Sequence, residues 1–331
     1  MSLEQFGVSV DDLGASSKMR PDPVVVRGRV ANVDADFLCY QVAADTRDEL
    51  DGIKPRRDFA SKCTGVGNLL SRAAAMVGAE RYVAHITPSG SDKGGRNDYA
   101  VTKPYQGNRK DQEPPEHLAA LRGFVGENLP SIIHLAQEAD DGMTQANQAA
   151  KDAGTPELSV IMSKDKDLRM ATGLHWDYDE ECISGADDDY GYIYLDRSKK
   201  VTTVKGYGTK FFWAQMLMGD TADNIAGLPV ADGDVLFELG VGKKNQKHRK
   251  VGPALAVTLL EGLNNNMECW DTIKHLYRTS PHEWVHWNTT EPVAWYAAMV
   301  GDMKTLWMRR YENENVLEWL RDIIVEERTH D

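Results

Sequence analysis

Short β-branched runs alternating with helical periods constrain this chain more than any other feature, because each run leads into carboxylates. Residues 24–33 read as a buried strand that delivers Asp34 and Asp36 at its C-terminal end. Residues 62–79 carry Leu69, Leu70, Ala73 and Met76 at helical spacing, and residues 82–87, 131–135 and 158–162 are three further strands. Helices are expected after Pro114 and Pro115 through about Glu127, and over residues 138–153. This rhythm predicts an α/β fold with a largely parallel, twisted central sheet and helices on both faces. The ligand side of such a sheet is the edge where its strands end, so Asp34, Glu138 and Asp165 should meet there although they are far apart in sequence.

The acidic groups, in order, are Asp34 with Asp36, Asp92, Glu138 with Asp140 and Asp141, Asp165 with Asp167, and Asp220 with Asp223. Residues 211–217 read as helix, and continuing that period puts Asp220 and Asp223 on one face before Gly227 and Pro229 stop it. Any one group is ordinary, since acids favour helix N-termini through the dipole alone. Several groups at one sheet edge form a bowl without His or Cys, which suits Mg²⁺ or Mn²⁺. Two such ions can activate water and stabilise the leaving oxygen of a phosphodiester.

A formal net charge of −13 argues at first against a nucleic-acid partner, but nine carboxylates besides Asp36 sit in these groups, where bound metal would offset them. The basic residues are also clustered. Lys243, Lys244, Lys247, Arg249 and Lys250 precede Gly252, whose backbone amide could join them in gripping duplex phosphates. In the long Gly-, Asn- and Lys-rich stretch 88–111, Tyr105, Arg109 and Lys110 could stack on and neutralise a single strand, and Lys93, Arg96 and Lys103 are counted with them. The run Asp187, Asp188, Asp189 reads as a solvated face before a hairpin over residues 191–206. Gly240 to Lys244 is not a phosphate loop, because Phe237 and Lys244 replace the required Gly and Ser or Thr. Asp165 to Met170 is not a calcium loop, because Met170 replaces its turn glycine. Four dispersed cysteines imply neither disulfides nor zinc, and no apolar run suggests a signal peptide or membrane span.

Taken together, Val33-Asp34-Ala35-Asp36, Tyr105-Gln106-Gly107-Asn108-Arg109, Glu138-Ala139-Asp140-Asp141, Ser163-Lys164-Asp165-Lys166-Asp167 and Gly219-Asp220-Thr221-Ala222-Asp223-Asn224-Ile225 resemble the motifs of the flap endonuclease and 5′ to 3′ exonuclease family. That family includes bacteriophage exonucleases and the 5′-nuclease domain of bacterial DNA polymerase I. The resemblance covers roughly residues 24–263. It implies a metal-dependent nuclease that removes nucleotides from DNA 5′ ends and cleaves 5′ flaps, with two Mg²⁺ ions for which Mn²⁺ can substitute. It assigns Asp34, Asp92, Glu138, Asp140, Asp141 and Asp165 to a first metal region, and Asp167, Asp220 and Asp223 to a second.

Residues 1–23 show no clear period and read as an irregular leader, and the resemblance further implies a nuclease core at 24–210, with a helical arch at 103–130 that a single strand threads. By the same resemblance a helix-three-turn-helix region follows at 211–265, interrupted by an insertion at 230–250 and able to hold K⁺; apolar residues at helical spacing over 293–307 and 316–324 place C-terminal helices in 266–331. Gln106 and Gln41 stand where the family has lysine and often arginine. The lysine's role would pass to Lys93, Lys103 or Lys110. With no polymerase region following, the expectation is a free-standing, phage-encoded enzyme in the host cytoplasm, serving DNA replication, recombination or primer removal. The alternatives are a PIN-class ribonuclease, sharing the bowl without the basic run, and a non-catalytic DNA-binding factor.

Overall fold

The computed structural model describes residues 24–44, 58–109, 113–198 and 200–329, with the side chains of 326–329 left out. The expected leader at 1–23 and Lys110 lie outside the described residues. Six strands form the main sheet: β1 (Val26–Asp34), β2 (Ala79–Ile86), β3 (Ser131–Ile133), β4 (Ser159–Met162), β5 (Leu174–Asp177) and β6 (Cys182–Ser184). Their order is β3-β2-β1-β4-β5-β6, parallel from β3 to β5, with β6 antiparallel at the edge. The chain reverses its direction of travel across the sheet between β1 and β4, so β1 has strands added on both sides and its end opens a crevice.

Alternation along β1 and β4 assigns the two faces. Ala31, Val33, Val160 and Met162 join a core with α1 (Ala35–Ala43), α2 (Phe59–Met76) and, beyond the short α3 (Arg96–Tyr99), α4 (Leu118–Asn128). Ile161 points to the other face and packs with Met143 of α5 (Ala139–Asp152). The helix expected over 62–79 lies earlier in the chain. Asp58 caps it by accepting from Ser61 N at 2.7 Å, and Gly78, at φ +60°, turns the chain directly into β2. Strands β5 and β6 were not anticipated, being four and three residues long.

A second core is organised on α6 (Thr209–Met218), which is buried on every side through Leu217. It joins the hairpin β7 (Tyr192–Asp196) and β8 (Thr203–Tyr207) to α7 (Gly233–Glu238) and α8 (Pro253–Leu260). The same cluster continues into α9 (Asn266–Thr279), α10 (Trp295–Leu306) and α11 (Val316–Thr329), so the C-terminal helices share one apolar interior with the segment before residue 265. Trp307 and Trp319 stack at 4.2 Å within it.

In the 230–250 stretch, β9 (Val230–Ala231) pairs antiparallel with β10 (Arg249–Lys250). Of the stretch expected to arch, Leu118, Leu121 and Val125 of α4 are buried in the sheet core, which ties down its C-terminal half. No described helix is long and apolar enough to cross a membrane.

Candidate metal centre

The crevice at the end of β1 is a cavity of about 680 Å³ whose walls include Asp34, Asp36, Glu138, Asp140, Asp165 and Asp223. Asp34 ends β1 and caps α1: its Oδ1 accepts from Phe37 N at 2.9 Å and its Oδ2 from Ser163 Oγ at 2.7 Å. Asp36 accepts from Thr87 N at 2.8 Å, after β2, and pairs with Arg122 Nε at 2.7 Å. Glu138 caps α5 and accepts from the buried Tyr105 hydroxyl at 2.9 Å. Asp165 follows β4, and its Oδ1 accepts from Asp167 N at 2.9 Å.

A second group adjoins the first. Asp167, Asp220 and Asp223 bring one oxygen each within 4.8 Å of one another, and among the described residues no other trio does so. The helical period expected to run through Asp220 and Asp223 is broken: α6 stops at Met218 and Gly219 adopts φ +69°. Asp220 and Ile225 then exchange backbone hydrogen bonds at 2.9 and 2.7 Å, closing a tight turn. A helix would have left its last carbonyls unpaired here; the turn instead aims both carboxylates inward. Gly227, at φ +62°, returns the chain beside Gly219.

Burial and crowding hold several of these acids above their usual range. Burial, then Asp36, pushes the Asp34 carboxyl up to about 6. Burial pushes Glu138 up to about 7 against the pull of Arg96. Asp140 is held well above its ordinary value by desolvation, then by Asp165 and Asp34, and Asp167 is raised by burial and then by Asp165. At Asp220 burial is overcome by hydrogen bonding from Asp167 and by the Lys166 ammonium, so this carboxyl lies low. An all-oxygen donor set under mutual repulsion fits a hard divalent cation, which would reverse the repulsion that raises Asp34, Asp140 and Asp167.

Two of the nine acids and two of the expected DNA-binding residues have other places. Asp141 is fully buried and takes two 2.8 Å hydrogen bonds from Arg96, plus one at 2.9 Å from Arg309 N. Its oxygens are thus committed to an internal ion pair, and Arg96, 1% exposed, is a core residue out of reach of DNA. Asp92 accepts from Gly94 N at 2.8 Å and faces a separate cavity with Arg309 and Lys304. Tyr105 is buried with its hydroxyl between Glu138 and Asp223, so it positions carboxylates instead of stacking on a base. Asp167 lies with Asp220 and Asp223, the two residues the resemblance grouped it with. Asp189, read as solvated, binds Thr172 Oγ1 at 2.8 Å and pairs with Lys151.

Of the basic candidates, Lys93 and Arg109 line the first cavity; Lys93 Nζ donates to Gln106, and Arg109 reaches Asp223 at 2.8 Å. Lys103 is exposed and outside that lining, while Lys243, Lys244, Lys247, Arg249 and Lys250 are all exposed ahead of Gly252. Residues that sequence reasoning missed are Lys166, Gln215 and Arg122. Gln215 donates to Asp167 from inside α6. Arg122 sits on a helix with no local signal. Lys166 stands in plain view between two aspartates, and its Nζ lies 2.9 Å from Asp167 Oδ1 and against Asp220 Oδ2.

The fold and this centre define an α/β protein with a cluster of carboxylates at the C-terminal edge of a mostly parallel sheet. No model of a known protein family matches the chain, and no curated protein does. Among solved structures, the D15 protein of T5 co-crystallised with metal ions is similar, with TM-score 0.47 and 13% identity over 84% of this chain and 89% of that one. A T5 5′-exonuclease with divalent zinc bound gives TM-score 0.44 and 15% identity over 83% and 89%. The catalytic core of Rad2 in complex with a DNA substrate gives TM-score 0.30 and 13% identity over 89% and 92%. Likeness at this level leaves function to be read from this chain's own side chains.

Proposed function

We propose that this chain is a divalent-metal-dependent phosphodiester hydrolase, a 5′ to 3′ exodeoxyribonuclease with 5′-flap endonuclease activity. The observation that carries the reading is the junction of two carboxylate groups: Asp34, Asp140 and Asp165 at the first cavity, and Asp167, Asp220 and Asp223 beside it. Asp34, Asp140 and Asp165 would hold one ion, and Asp167, Asp220 and Asp223 the other. When bound, two Mg²⁺ ions supply an activated water and charge stabilisation for the leaving oxygen, with Mn²⁺ able to substitute.

The residues of the chain do the remaining work. Lys93, Arg109, Arg122 and Lys164 line the same cavity as the acids and offer positive charge to a phosphate. Glu138, which lines the first cavity, is held in place by the Tyr105 hydroxyl and by Arg96 at 3.1 Å. The exposed run from Lys243 to Lys250 grips duplex phosphates without reading sequence. The 5′ polarity, the flap substrate, K⁺ binding near the Asp220 turn and a phage role in replication, recombination or primer removal rest on the motif resemblance.

The test incubates 5′-labelled flap DNA, duplex DNA and RNA with Mg²⁺ or with chelator, comparing wild type with Asp165→Asn. Release from DNA that needs Mg²⁺ and is lost in the variant is expected. Preferential cleavage of RNA would point to a PIN-class ribonuclease, and binding without cleavage to a DNA-binding factor; either refutes the proposal.

A further inference from the structure

The two lysines that flank Asp165 behave oppositely. Lys164 turns its ammonium onto aromatic rings, 5.2 Å from Phe37 and 5.3 Å from Tyr178, and among the described residues no ion pair joins it to Asp34 or Asp140. Lys166 turns its ammonium into the second group, touching both Asp167 and Asp220. Those two residues are each 2% exposed, and apart from Lys166 and each other their side chains are bonded by neutral donors, Gln215 on Asp167 and the Ala222 amide on Asp220. A cation is therefore already seated between two of the three carboxylates that come within 4.8 Å of one another.

We propose that Lys166 is the resident cation of the Asp167, Asp220 and Asp223 group, and that its ammonium must leave before a divalent ion can enter. The lysine thereby sets how tightly this group holds metal, while among the described residues the Asp34, Asp140 and Asp165 group has no such competitor. This rests on reading the group as a metal site. The geometry permits the exchange. An ammonium and a divalent ion need the same oxygens, and the two cannot occupy the space between Asp167 and Asp220 together. The Lys166 side chain is 43% exposed, so it can swing outward without opening a hole in the core. A flexible four-carbon stem tethers it, and tethering gives a competitor an effective concentration in the millimolar range. An ion must displace that competitor at each binding event. The two groups consequently differ in affinity, the first filling at low metal and the second only when metal is abundant.

The experiment titrates the full chain with Mn²⁺, following free Mn²⁺ by electron paramagnetic resonance and heat by calorimetry. Wild type, Lys166→Met, Lys166→Gln and Lys166→Arg are compared, with Asp220→Asn marking which site is the second. Wild type should bind two ions of unequal affinity, the weaker one lost in Asp220→Asn. In Lys166→Met and Lys166→Gln the weaker site should tighten at least tenfold, while the tighter site changes less than threefold. Lys166→Arg, which keeps the cation and the fold even should the neutral variants not fold, should bind weakly like wild type. Unchanged or weakened second-site binding in the neutral variants, or a tighter site in Lys166→Arg, overturns the inference while leaving the nuclease proposal intact. A wild type that binds no Mn²⁺ and cleaves nothing overturns both.

Discussion

Replacing Arg96 with Met removes the centre of a buried, heavily bonded ion pair. The guanidinium is 1% exposed and makes two 2.8 Å hydrogen bonds to Asp141, lies 3.1 Å from Glu138, and donates to Thr305 O at 3.2 Å and Trp307 O at 2.8 Å. Its partner Asp141 is 0% exposed and held below the usual carboxylate range: burial pushes it up, and Arg96 more than reverses this. Without the guanidinium, Asp141 keeps only backbone donors and must stay charged in an apolar setting or take up a proton. Stranding one partner of a buried pair costs about 3–5 kcal/mol. With an unfolding entropy of roughly 2.1 cal/mol/K per residue over this length, that corresponds to a fall in Tm of about 4–7 °C. Urea unfolding followed by far-UV circular dichroism, alongside a thermal scan, measures both. Arg96→Met combined with Asp141→Leu should recover most of the loss, because an apolar pair of similar volume replaces a desolvated ionic one. A single variant within about 1 kcal/mol of wild type would refute the argument, as would a double variant no more stable than the single.

Gly219→Ala places a Cβ 2.4 Å from Ala226 O and 2.5 Å from Ile225 O at a left-handed backbone position. The strain should cost roughly 1–3 kcal/mol and abolish the weaker Mn²⁺ site, whereas Gly123→Ala, with open space around it in α4, should bind metal normally. Burial, then His134, holds the His85 imidazole down to about 3, while an unfolded histidine titrates near 6.5. The stability this contributes is complete above about pH 6.5 and is lost as pH falls toward 3, so His85→Gln should show a shallower loss of Tm between pH 6.5 and 4; parallel slopes would count against the neutral buried ring. Replacing Lys243, Lys244 and Lys247 with Gln should weaken duplex binding and lower its log-log salt slope by about 0.9 for each phosphate no longer neutralised, leaving Mn²⁺ titrations unchanged.

What could be read from the sequence follows physical range. Strand ends, the start of α5 and the gathering of Asp34, Glu138 and Asp165 at one edge all follow from local periodicity plus the parallel-sheet rule. The orientation of each carboxylate does not. Asp140 and Asp141 are adjacent in the first turn of α5, roughly 100° apart around the helix, and only the distant Arg96 decides which faces inward. Asp92 falls outside the crevice because Lys93, Gly94 and Gly95 take three successive positive φ values, which turn the chain away from it. Extending the helical period through Gly219 misses the turn for the same reason, a left-handed residue whose need comes from the returning Gly227. Lys166 is visible in the sequence only as a spacer between aspartates, since spacing says nothing of where a four-carbon stem ends.

The net charge of the chain becomes less of an obstacle to a DNA substrate once the centre's charges are paired one by one. Arg96 answers Asp141, Arg122 answers Asp36, Arg109 answers Asp223, and Lys166 is shared by Asp167 and Asp220. Among the described residues Asp34, Asp140 and Asp165 have no cation paired to them, and Glu138 shares Arg96 with Asp141. The surplus is thus concentrated in the first cavity, where burial and crowding already favour proton uptake by Asp34 and Glu138. Surface acids elsewhere act through a screening length of about 8 Å at physiological salt and hardly reach this crevice. A phosphate approaching it meets the local balance, and divalent ions at the unpaired carboxylates would turn that balance positive beside Lys93, Arg109 and Lys164. Metal loading would therefore be the step that makes the crevice attractive to a polyanion, and DNA affinity at the crevice should rise with free Ca²⁺, a non-hydrolytic stand-in, in wild type but not in Asp165→Asn. Equal DNA affinity with and without Ca²⁺ in wild type would show that the basic run alone does the binding.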